Sequence, residues 1–146
     1  MIEIINTTKT KVNKKEIIFI AANFLQDFKH SRVDVSIAIV GDVRIRNLNN
    51  KYRGRNQTTD VLSFAGAEWE GNLLGEVIIN PQEIKRTAKY REILEFIGSK
   101  KSKKYLFYFI LVHGLLHLVG YDDETENERQ NMLYLGRDFL NKHGII

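Results

Sequence analysis

His113-Gly114-Leu115-Leu116-His117-Leu118-Val119-Gly120-Tyr121-Asp122-Asp123 is the stretch on which the reading of this chain turns. Tyr105 to Leu118 is mostly apolar and contains no proline, the pattern of one core helix. Residues i and i+4 lie one above the other on a helix face, so His113 and His117 can aim imidazole nitrogens at one ion. Gly120 can adopt the left-handed conformation that commonly ends a helix. The chain then folds back and brings Asp122 or Asp123 toward the two rings. Three N/O ligands with a fourth position open to water is the usual arrangement of catalytic zinc. A bare pair of histidines on an apolar helix is more often part of a core. The glycine stop and the trailing carboxylate turn the balance toward a metal centre. The carboxylates have a second use, since either can N-cap a helix beginning near Glu124.

The pattern H-x3-H-x2-G-x2-D matches the spacing of metzincin ligands, with one exception. The residue after the first histidine is glutamate in those proteases, where it is the general base. Here it is Gly114, which cannot take a proton. The expectation is a metzincin-like metal helix that lacks the protease's base.

Outward from this helix the chain alternates strands and helices. Ile2 to Thr7 reads as a strand and Lys14 to Lys29 as an amphipathic helix with Ile17, Ile18, Ala21, Phe24, Leu25 and Phe28 on one side. Val33 to Val40 alternates as a half-buried strand does. Gly41-Asp42 leads into a helix through about Tyr52, with Asp42 as its expected N-cap. Arg53 to Thr58 reads as a polar, mobile loop. Val61 to Phe64 and Glu76 to Asn80 read as strands, joined by a glycine-bearing loop from Ala65 to Asn72. Pro81 opens a helix to about Glu95 that includes a break. Glu126 to Lys142 closes the order. The expected class is α+β, a small mixed β-sheet packed against several helices in one domain, residues 1–146.

A family resemblance rests on three blocks. HGLLHLVGYDD, residues 113–123, resembles the HGxLHLxGYDH signature of the YbeY family of metal-dependent endoribonucleases. Leu48-Asn-Asn-Lys-Tyr-Arg53-Gly with Thr59-Asp-Val-Leu-Ser-Phe64 resembles the second block, and Leu74-Gly-Glu-Val-Ile-Ile79 the third. The likeness runs from about Val35 to the C-terminus. It implies metal ligands at His113, His117 and Asp123, where the family's third ligand is a histidine. It also implies a part in activity for Arg53, whose guanidinium can grip a phosphate through paired hydrogen bonds. Departures are Asp123 itself, Gln57-Thr58-Thr59 for the family's K-P-T, and Glu76 for aspartate. Zinc is the expected ion, one per chain, and the harder aspartate ligand opens the site to other divalent metals.

Composition agrees with such an enzyme. A chain of 146 residues can bury a real core, and 43% hydrophobic with 27% charged residues is ordinary for a globular protein. With no cysteine, disulfides and thiolate zinc sites are excluded. The start, Met-Ile-Glu-Ile-Ile-Asn, lacks a signal-peptide pattern, and no apolar run reaches transmembrane length, so the cytoplasm is expected. The net charge of +4 and pI near 9.3 favour a polyanionic partner modestly. Arg44, Arg46, Lys51, Arg53 and Arg55 form one basic cluster, and Lys100, Lys101, Lys103 and Lys104 a second that reads as a solvated loop. Asp122 to Glu128 is acidic and argues against a uniformly basic groove.

The expected function is a single-strand-specific endoribonuclease. His113, His117 and Asp123 hold the metal, His113 and Arg53 serve catalysis, and the ion acts on a water and a phosphoryl oxygen. The resemblance implies ribosomal RNA maturation and ribosome quality control, with ribosomal RNA, ribosomal proteins or small GTPases as partners; neither membrane nor DNA is expected. Two other classes are a hydrolase of another substrate, such as peptide, and a non-catalytic ribosome-associated factor. Asp60 and Ser63 read either as site residues or as a turn cap and a core hydroxyl. Tyr105, Tyr108, Tyr121 and Tyr134 read as packing residues before stacking ones. His143, near the C-terminus, is the alternative third ligand.

Overall fold

The computed structural model describes residues 1–66, 71–98 and 103–146. Its four strands are β1 (Ile2–Asn6), β2 (Asp34–Ile39), β3 (Val61–Ala65) and β4 (Leu73–Ile79). They form one sheet in the order β1-β2-β4-β3. β1, β2 and β4 are mutually parallel, and β3 runs antiparallel along β4. Alternation decides the faces: Val35, Ile37 and Ile39 are buried on β2, and Val77 and Ile79 on β4. These side chains meet helices α1 (Lys14–Asp27), α5 (Lys103–Leu118) and α6 (Glu126–Lys142) in the main core. The other face is thin. There Leu62 and Ile78 pack with Ile45 of α2 (Asp42–Arg53). The mixed sheet against several helices is the α+β class expected.

Local chemistry sets most boundaries. Asn13 caps α1 by accepting from the Glu16 backbone N–H at 3.2 Å. Asn80 caps a short α3 (Pro81–Ile84), with proline at its first position. The expected break then appears: a 3-10 turn, Thr87–Tyr90, separates α3 from α4 (Arg91–Ile97).

Three expectations need correction. The N-cap of α2 is Gly41, and Asp42 lies inside the helix. Its carboxylate instead accepts from Asn80 at 2.8 Å and Thr58 at 3.2 Å, and pairs with Arg86. Those bonds hold Asp42 down at about 2, the Arg86 contact contributing most. Arg53 is the last residue of α2 rather than the start of a loop. The segment after it is tethered, since Asn49 donates to the Gln57 carbonyl at 2.9 Å. The N-cap of α6 is Thr125, which accepts from the Glu128 N–H at 3.1 Å, so neither Asp122 nor Asp123 caps it. The loop expected over Ala65 to Asn72 lies partly outside the described residues, as do Lys100 and Lys101.

Candidate metal centre

From Leu106 to Leu118 every residue is buried except His113 and His117, which are half-buried. One stripe of α5 thus leaves the core and opens onto a cleft of about 950 Å³. The rings stand edge to face, with centroids 4.9 Å apart. Gly120 takes φ +101°, and its N–H reaches the His117 carbonyl at 3.1 Å. The bend returns Asp123 above the rings. Its Oδ2 lies 3.2 Å from His113 Nε2 and 3.5 Å from His117 Nε2. One ligand atom from each of the three residues lies within 4.8 Å of the others.

The electrostatics keep the donors available. His117 Nδ1 donates to the Tyr121 carbonyl at 2.9 Å, which leaves Nε2, on the Asp123 side, as the nitrogen that could ligate a metal. Burial lowers the His113 pKa, the neighbouring His117 lowers it further, and Asp123 opposes both. Two imidazoles facing a carboxylate fit a divalent cation, with donors that suit zinc. Tyr121 braces His117 through its backbone, while its ring packs edge-on to Phe28 at 6.1 Å. No side-chain pattern in the sequence announces that carbonyl; its place follows from the glycine bend.

Gly114 has a packing role beyond lacking a proton acceptor. A Cβ there would come within 2.8 Å of Val77 Cγ1, 3.1 Å of Val61 Cγ2 and 3.2 Å of Ser63 Oγ. The glycine lets α5 press against β3 and β4, and Ser63 Oγ donates to the Gly114 carbonyl at 2.8 Å. The Ser63 hydroxyl is thereby committed to joining helix and strand. Asp60 lines the cleft and accepts from the Tyr90 hydroxyl at 2.9 Å. That link joins the residue before β3 to the 3-10 turn, and sequence spacing offers no signal for it.

Arg53 lies in the same cleft. Its guanidinium donates to the Ser63 carbonyl at 3.0 Å and sits 5.6 Å over the Phe64 ring. His143 is elsewhere: its Nε2 meets Asp27 Oδ2 at 2.8 Å, so it does not join the cluster. Glu76 shares the α2 face of the sheet with Ile78, away from α5, and burial raises its pKa. Tyr108 is buried and donates to Glu16, and Tyr134 packs against Phe96 at 5.2 Å.

Fold and site together define a class: an α+β protein with a His-His-Asp donor set on a core helix, beneath an open cleft. Comparison with known proteins narrows it. The family model for Endoribonuclease YbeY matches residues 3–144. Endoribonuclease YbeY of Geobacillus sp. (strain WCH70) is 35% identical, over 94% of this chain and 90% of that protein. The Halalkalibacterium halodurans protein of the same name is 32% identical, over 99% and 96%. The solution structure of TM1509 from Thermotoga maritima matches with a TM-score of 0.56 at 23% identity, over 97% of this chain and 91% of that one, which shows the shared fold. The chain belongs to the endoribonuclease YbeY family.

Proposed function

We propose that this chain is a metal-dependent endoribonuclease that cuts single-stranded RNA, in a single domain spanning residues 1–146. The observation that carries the reading is the convergence of His113, His117 and Asp123 on one point of an open cleft, in a chain of this family. Zinc is the proposed ion. When bound, it supplies Lewis acidity toward a phosphoryl oxygen and lowers the pKa of a water. The protein's own residues do the rest. The Tyr121 carbonyl holds His117 in the tautomer a ligand needs. Arg53 would leave one guanidinium edge on the Ser63 carbonyl and offer its other donors to the scissile phosphate. Charge developing on that phosphate is then met by a fixed cation.

Maturation of ribosomal RNA and ribosome quality control are the proposed setting, in the cytoplasm, with ribosomal proteins or small GTPases as partners. No helix among the described residues is long and apolar enough to cross a membrane. Peptide hydrolysis is disfavoured by Gly114, where a glutamate would collide with Val77 as well as Val61.

The test pairs metal analysis with cleavage of a single-stranded RNA. Wild type is expected to carry one ion per chain and to cut the RNA, and chelation or His117→Ala to abolish both. Cleavage that survives His117→Ala undiminished would overturn the metal-dependent reading, and no cleavage by metal-loaded wild type would leave a non-catalytic binding factor.

A further inference from the structure

A second cavity, of about 1050 Å³, lies at the opposite end of α5 from the histidines. Its rim is cationic. The loop between β1 and α1 contributes Lys9 and Lys11, and the first turn of α1 contributes Lys14 and Lys15. Lys103 and Lys104 open α5, and Lys85 follows α3. All seven are exposed, and among the described residues no acidic one lines the cavity. Of the seven, only Lys104 pairs with a carboxylate among the described residues, Glu16 at 3.5 Å.

Two further observations point to an anionic occupant. Lys14, Lys15, Lys103 and Lys104 sit at the positive ends of α1 and α5, where cations are disfavoured and anions favoured. The intervening loop is already ordered. Asn6 donates to the Thr10 carbonyl at 2.8 Å and accepts from the Thr8 N–H at 2.9 Å, and Thr8 Oγ1 accepts from the Thr10 N–H at 3.2 Å. Lys9 and Lys11 are thus presented on a fixed backbone, which lowers the ordering cost of binding.

The candidate metal cleft has the opposite balance. Arg53 and Arg55 there face Asp60, Asp122, Asp123 and Glu124. A divalent ion bound there would bring these groups only to balance, so the cleft can position one phosphate but has no cationic excess to hold a polyanion. We propose that the lysine cavity is a second RNA-binding site, which holds the phosphate backbone away from the point of cleavage. The cleft's shortage of cations favours the RNA substrate over an acidic protein as the occupant, and the inference rests on the endoribonuclease reading. Along α5, Lys103 and His117 are separated by about 20 Å of helix, so an RNA must be several nucleotides long to engage both sites.

The test compares wild type, His117→Ala and a quadruple variant, Lys9→Ala/Lys11→Ala/Lys14→Ala/Lys15→Ala. Binding is measured by fluorescence anisotropy with two single-stranded RNAs, a tetranucleotide and one of about 20 nucleotides. The longer RNA is expected to bind chelated wild type and His117→Ala, neither of which cuts it, with similar affinity. The quadruple variant should bind it at least tenfold more weakly at low salt, with the log–log salt slope reduced by about 3, or 0.7 per lost phosphate contact. Its cleavage of the tetranucleotide should be unchanged, and the matching Lys→Arg variant should bind the longer RNA normally. Unchanged affinity and salt slope in the quadruple variant would overturn the inference, even if an acidic protein proved to need these lysines. The two readings fail separately. Lysine-dependent binding without cleavage sinks the nuclease, and cleavage with lysine-independent binding sinks the second site.

Discussion

Gly114→Ala isolates the contact that seats the metal helix on the sheet. By helix propensity alone the change should stabilise the protein by about 1 kcal/mol. Against that, the new Cβ lies 2.8 Å from Val77 Cγ1 and 3.1 Å from Val61 Cγ2. Ordinary carbon contacts need about 3.5–4.0 Å. Val77 is fully buried and β-branched, so its side chain cannot swing aside. Overpacking of this kind costs about 1–3 kcal/mol. Retreat of the helix would also strain the 2.8 Å bond from Ser63 to the Gly114 carbonyl, worth about 1 kcal/mol. The balance is a net loss of about 1–3 kcal/mol, or roughly 3–10 °C in Tm for a chain of this size. Urea titration and calorimetry would measure it. Gly114→Ala/Val77→Ala should lose less than the two single changes summed, because the second removes the atom the first collides with. A Gly114→Ala protein as stable as wild type, or additive losses in the double variant, would refute the close-approach account. Cleavage should fall as well, since His113 is the adjacent residue and a displacement of about 1 Å can cost a hundredfold.

Other outcomes follow from single contacts. Arg53→Lys should lose most RNA cleavage while Tm stays within the equivalent of about 0.5 kcal/mol, because an ammonium cannot grip Ser63 and a phosphate at once; full activity would remove Arg53 from the mechanism. Asp42 has a depressed pKa of about 2, so its contribution is complete above its unfolded value of 3.8 and is lost as pH falls toward 2. Arg86 is half exposed, so the effect of Asp42→Asn is held to about 1 kcal/mol at neutral pH; urea midpoints of variant and wild type should converge between pH 4 and 2, and a gap that persists there would contradict the assignment. Thr125→Ala should cost about 1 kcal/mol by removing the cap of α6, and Asp122→Ala much less; the reverse order in thermal melts would restore the aspartate as cap.

The sequence alone determined what local rules govern. Periodicity of two marked the strands and periodicity near 3.6 the helices, because each sorts side chains between core and water. The i,i+4 histidines had to share a face of α5, and Gly120 had to be able to end it. Proline marked the start of α3 for an equally local reason. Only the tertiary structure decided matters that depend on surfaces distant in sequence. It set Asp123 beside the histidines, a choice that geometry read from the sequence left open and only the family pattern anticipated, and left capping of α6 to Thr125. It drew Asp42 to Arg86, 44 residues away, and seated β3 antiparallel at the sheet edge. It spread the lysines and carboxylates between two cavities at opposite ends of one helix. Adjacent residues share nearly the same local preferences, so long-range packing must choose between them, and a chain's charge total carries no record of where folding will gather each sign.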